Sequence, residues 1–132
     1  MSINLLATLT AALSVFVIGG IWYSPMAFGK IWAKAAGYTM EDKKKGGHKP
    51  MVFVYAFIFS LVAAFIFSLY LGAKPNFFYA VSTGFKIGLF FVATSFGINY
   101  MFANRSFKML LIDGGYHTAQ FTVYGLILGL WH

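Results

Sequence analysis

Residues 51–71 read MVFVYAFIFSLVAAFIFSLYL, an uncharged run whose only hydroxyls are those of Tyr55, Ser60, Ser68 and Tyr70. Roughly 20 apolar residues carry a helix across the hydrocarbon of a bilayer, so this stretch reads as a spanning helix, turned to lipid over much of its surface. The rest of the chain has the same character. Of its 132 residues 60% are hydrophobic and only 10% charged, with a mean hydropathy of +0.75, far from the makeup of a soluble domain. Cysteine is absent, which excludes a disulfide framework and any thiolate metal or redox site.

Working outward, three more apolar runs cover 3–22, 77–101 and 107–131. The first has no Lys or Arg before it and no small-residue cleavage pattern after it, so it is read as a retained helix rather than a signal peptide. The expected architecture is an all-α polytopic membrane protein, one domain over 1–132, with four transmembrane helices and no room for a soluble module. Between the first two spans lies a basic connection, 26–50. In it Lys30 and Lys34 stand four apart while Phe28, Ile31, Trp32 and Ala35 gather on another side, the pattern of a short interfacial helix, ended by Gly37. Thr39 to Asp42 can cap a further turn, and Lys43, Lys44, Lys45, Gly46, Gly47, His48, Lys49 and Pro50 then form a breaker-rich loop suited to anionic lipid headgroups.

The net charge of +7 is therefore read as a topology signal rather than a nucleic-acid footprint. Lys30, Lys34, Lys43, Lys44, Lys45, Lys49, Arg105 and Lys108 flank one side and Lys74 the other. The positive-inside rule then puts the basic connections in the cytoplasm and both termini outside, in a cell (plasma or inner) membrane.

Ionisable groups inside spans are costly and mark sites. On a helical wheel Asp113, Tyr116, His117, Gln120, Tyr124 and Trp131 share one sector of the last span, and Gly114, Gly115, Thr118, Thr122, Gly125 and Gly129 the next. In the third span Lys86 falls with Tyr79, Ser82, Thr83, Ala93, Gly97 and Asn104, while Gly84, Gly88, Ser95 and Asn99 lie opposite. The pairs Gly84/Gly88 and Gly125/Gly129 are close-packing seams, and in so small a bundle they favour a homo-oligomer. Lys86 lies roughly 14 Å from the outer end of its helix, near the midplane and level with Gln120 and Tyr124. A polar track from Asp113 through His117 and Gln120 to Lys86 follows as an expectation.

For Asp113 and His117 the chemical reading is proton or ion handling, since imidazole titrates near neutrality. The structural alternative pairs Asp113 with Arg105, Lys108 or Lys86 and has His117 donate to a carbonyl. A metal site is not expected, because His48 sits in a loop and His132 at the other face; nor is a cofactor. Ser24 and Ser106 lack a nucleophile elbow, and no HExxH-type signature is present, so an enzyme is unmotivated. The function expected first is transport or permeation of a small polar or ionic solute, with proton linkage as one form of it. A non-catalytic scaffold comes second, and an enzyme acting on lipid headgroups third. One further pattern is an echo: Gly20-Ile21-Trp22-Tyr23 closes the first span and Gly97-Ile98-Asn99-Tyr100 the third, as two parallel helix pairs would produce.

The segments GGIWYSPMAFGKIW at Gly19 to Trp32, GYTMEDKKKGG at Gly37 to Gly47 and RSFKMLLIDGGYH at Arg105 to His117, with the terminal GLILGLW, resemble the membrane-protein family catalogued as domain of unknown function 1761. The resemblance covers nearly the whole chain in the same order. The family carries no assigned activity, so the resemblance implies two residue clusters rather than a reaction: Trp22, Tyr23, Ser24, Pro25, Phe28, Gly29, Lys30 and Trp32, then Arg105, Ser106, Phe107, Lys108, Asp113, Gly115, Tyr116 and His117. Both are expected at the cytoplasmic side, where they can form one site.

Overall fold

The computed structural model describes residues 3–38 and 48–132. The lysine run 43–45 and the capping turn expected at Thr39 to Asp42 lie outside the described residues. Within them the protein is all helical. Helix α1 is Leu5–Trp22, α2 Gly29–Ala36 and α3 Pro50–Leu71. Helix α4 runs over Phe77–Phe102, with a π-helical segment at Gly88–Ala93. Helix α5 is Phe107–Leu130.

The ends follow local chemistry. Asn4, Asn76 and Ser106 cap α1, α4 and α5 by accepting backbone N–H groups of their first turns. Pro50 opens α3, where its missing N–H costs nothing. Gly37 closes α2 with φ 84°, a left-handed conformation that glycine adopts without strain.

Helices α1, α3 and α4 are long and apolar enough to cross a membrane. Helix α5 is as long, but Asp113, His117 and Gln120 make it too polar to qualify by composition, so among the described residues three helices qualify where four were expected. These three side chains face protein: the helix packs against α1, α2, α3 and α4 in turn. The core they share is mostly small, with Ala7, Ala11, Ala12 and Val15 of α1 against Ala64 and Phe67 of α3, Ala80 of α4, and Tyr124 and Leu128 of α5. Helix α3 buries little beyond Ser60, Ala64, Phe67, Ser68 and Leu71, as its uniform apolarity predicts.

The glycine seams lie between α4 and α5 of the same chain. A Cβ at Gly84 would stand 2.1 Å from the Phe121 carbonyl oxygen, one at Gly88 2.6 Å from the Thr118 Cα, and one at Gly125 2.2 Å from the Ala80 carbonyl oxygen; at Gly129 it would meet the Phe77 Cα at 3.2 Å. Backbone thus meets backbone, and the seams are spent within the chain rather than offered to a second copy.

Ser95 and Asn99, expected on the same seam, are exposed instead. The π turn explains the difference. It takes up one residue more than regular α-helix, so the phase of the second half of α4 advances by about one position. Ala93 and Gly97 are thereby brought to α5, against Gly114 and Leu110, along with Phe96 and Tyr100.

Candidate functional site

The carboxyl end of α1, the tight turn after it, α2, the end of α4 and the first turns of α5 meet around Asp113. The turn is built by its own sequence. Phe28 N–H donates to the Trp22 carbonyl at 3.0 Å, and Gly29 N–H to the Ser24 carbonyl at 2.9 Å. Gly29 is required by space, since a Cβ there would lie 2.3 Å from the Tyr23 carbonyl oxygen. Trp22 donates its indole N–H to the Ile112 carbonyl at 2.9 Å, stacks obliquely on Phe28 with centroids 4.9 Å apart, and lies over Gly115, where a Cβ would come within 2.9 Å of its ring.

Asp113 is 7% exposed. Tyr23 O–H donates to its Oδ1 at 2.5 Å; Trp32 Nε1–H donates to Oδ2 at 3.3 Å, and Tyr100 O–H donates to the same oxygen. All three donors are uncharged. Burial, reinforced by the carboxylate, holds the Tyr23 phenol far above its usual range, so it remains a donor. The two tyrosines are the last residues of the Gly20–Tyr23 and Gly97–Tyr100 echoes. Two parallel helices, α1 and α4, each deliver a phenol to one oxygen of one carboxylate carried by the antiparallel α5.

A second network starts one turn further along α5. His117 Nδ1 lies 2.6 Å from Gln120 Oε1, Gln120 Nε2 donates to the Tyr124 hydroxyl at 2.8 Å, that hydroxyl lies 2.5 Å from Ser60 Oγ, and Ser60 Oγ donates to the Ala12 carbonyl at 2.8 Å. The last link sets the direction of all the others. A carbonyl only accepts, so Ser60 spends its proton on Ala12, and Tyr124 must donate to Ser60. Gln120 must then turn its amide nitrogen to Tyr124 and its oxygen to His117. His117 therefore carries a proton on Nδ1, and Nε2 is its remaining basic atom. Its ring stacks on Phe96, with centroids 4.8 Å apart at 15°, and meets Tyr116 edge-on at 4.9 Å. Tyr116 in turn donates to the Val15 carbonyl at 3.0 Å and packs on Tyr23 at 5.5 Å.

The sequence-derived residues thus divide. Asp113, His117, Gln120, Tyr116 and Tyr124 are assembled with Trp22, Tyr23, Phe28, Gly29, Trp32 and Gly115. Lys86 is exposed on the outside of α4 and joins neither network, so the track stops at Tyr124, which is completely buried. Arg105, Lys108, Lys30, Pro25 and Phe107 are also exposed. Ser24 closes the α1 turn on the Ile21 carbonyl at 2.7 Å; Ser106 caps α5. The pairing of Asp113 with Arg105, Lys108 or Lys86 is replaced by phenol and indole donors. Tyr100, Phe96 and Ser60 are members that wheel reasoning passes over, although the echo pointed to Tyr100.

The second network makes a graded prediction. Tyr124→Phe removes an acceptor from Gln120 and a donor from Ser60 in a completely buried place, and is expected to cost about 1–3 kcal/mol. Ser60→Ala should cost less, because the Tyr124 hydroxyl keeps the Ser60 backbone carbonyl as acceptor at 3.3 Å. Thermal unfolding in detergent micelles ranks the two.

No curated protein and no solved structure matches the chain. The family described as "Protein of unknown function (DUF1761)" matches residues 6–129. That match spans nearly the whole chain, including both halves of the Asp113 cluster, and the protein belongs to this family.

Proposed function

We propose that the protein is a four-span integral membrane protein that passes a small polar or ionic solute in a proton-linked manner, with His117 as the proton-carrying group. The observation that carries this reading is the fixed Nδ1–H of His117, set by the chain that ends on the Ala12 carbonyl. It leaves Nε2 as a base beside a carboxylate in the interior of a helix bundle, where a titratable group is costly unless used. Asp113, saturated by three donors, is the latch that holds α2 and the α1 turn to α5.

The fourth span in this reading is α5. Its 24 residues rise about 36 Å, enough for a hydrocarbon core of about 30 Å, and its low hydropathy reflects groups turned inward. The lysine distribution supports cytoplasmic placement of α2 and of the turn before α5, with both termini outside. Self-association rests on Lys86. An ammonium facing lipid near mid-span costs at least about 2.5–3.5 kcal/mol, which a second copy or a wet interface relieves.

The test is pH-driven flux in proteoliposomes. His117→Gln keeps a donor and an acceptor near Gln120 but cannot titrate, and is expected to abolish proton-coupled uptake at unchanged folding. Wild-type vesicles that move neither protons nor small ions would end the transport reading. They would leave the scaffold, which the saturation of Asp113 favours.

A further inference from the structure

A long groove of about 880 Å³ runs along the outer face of α5, flanked by α4. Its floor includes Leu111, Gly114, Thr118 and Thr122, and Phe85, Leu89 and Gly97 stand along α4. Trp22 reaches in over Gly115. The threonines decide what the groove takes. Thr118 donates to the Gly114 carbonyl at 2.8 Å, Thr122 to the Thr118 carbonyl at 2.7 Å, and Thr94 to the Phe90 carbonyl at 2.7 Å. Each hydroxyl is turned back on its own helix, and the groove is lined almost wholly by apolar atoms. A polar solute finds no partner in it, which separates it from the Asp113 and His117 networks.

From Leu110 to Val123 the groove extends roughly 20 Å along α5, more than the half-thickness of a bilayer core, about 15 Å. One end carries positive charge. Lys108 lies on the same face of α5, one turn before Leu111 and two turns before Gly115, and Arg105 lies just ahead of it; both are exposed.

We propose that this groove is a binding site for one acyl chain of an anionic phospholipid, whose phosphate lies at Arg105 and Lys108. The bound chain covers the outer face of α5 and packs against Trp22, so the lipid is held by shape along its tail and by charge at its head. The π turn of α4 belongs to the same site, because it places Ala93 and Gly97, rather than larger side chains, beside the groove.

The experiment is native mass spectrometry of the full chain taken from vesicles of equal phosphatidylglycerol and phosphatidylcholine. Wild type is expected to retain one phosphatidylglycerol per protomer. Ala119→Trp, which fills the groove from its floor, should lower retention by about tenfold or more, equivalent to at least 1.4 kcal/mol. Arg105→Gln/Lys108→Gln leaves the groove intact and should retain either lipid without preference. Circular dichroism and melting of each variant check folding independently. Absence of retained lipid from wild type, equal retention in Ala119→Trp, or a lipid-free dimer closed over the groove would overturn the proposal.

Discussion

Asp113→Ala is expected to be among the most damaging single substitutions in this protein, costing about 3 kcal/mol or more. It removes at once the acceptor shared by three donors, the phenols of Tyr23 and Tyr100 and the indole of Trp32, and losing the partner of a buried polar group costs about 1–3 kcal/mol. The loss is local as well as global. Trp32 is carried by α2, whose short length gives it little stability alone, so α2 should release from α5. Asp113→Asn should do less harm: its oxygen can still take two donors, and the Tyr23 hydroxyl can turn to accept from the new amide. Unfolding temperature in micelles measures the first effect, and Trp32 emission, red-shifted when the ring enters a wetter setting, reports the second. Equal stability of Asp113→Ala and wild type would show that the cluster holds nothing together.

The second large effect is expected at Gly125. A methyl group there stands 2.2 Å from the Ala80 carbonyl oxygen and 3.0 Å from the Val81 Cα, so the obstacle is backbone and no rotamer change relieves it. Gly125→Val must push α4 away from α5 along their whole contact, at an expected cost of about 3 kcal/mol, the upper part of the range for overpacking. Gly20→Ala supplies the contrast. Nothing lies within 4 Å of a Cβ there, so the better helix propensity of alanine should raise stability by up to about 1 kcal/mol. If both substitutions lower the melting temperature alike, the close packing of α4 on α5 is not what holds the bundle.

The sequence was legible where one side chain decides locally. The α2 stop at Gly37 and the ends of the apolar runs lie within a residue or two of expectation. The polar sector of α5 was legible too, because α5 is regular from end to end: Asp113, Gln120 and Tyr124 are buried together. Helix α4 was legible only to Gly88. Its π turn carries no signal that a fixed 100° wheel can register, and beyond it the wheel sent Ser95 and Asn99 inward in place of Gly97 and Tyr100. Lys86 lies before the π turn, and there the wheel was right to set it opposite Gly84 and Gly88. The wheel identifies faces, and which face meets another helix is settled only when α4 and α5 pack.

The polarity of α5 also bears on how the protein is made. On the four-span reading, a helix carrying Asp113, His117 and Gln120 has a poor claim on lipid when it leaves the ribosome alone: an aspartate at a helix centre weighs about 2.5–3.5 kcal/mol against insertion, and Asp113, seventh of the 24 residues, carries part of that cost beside the two polar groups nearer the middle. Only Ala103–Ser106 separates it from α4. The two are therefore suited to enter as one hairpin, glycine face to glycine face, into a bilayer where α1 and α3 already wait with Tyr23, Val15 and Ser60. Biogenesis would then end, rather than begin, with the segment that holds the others together.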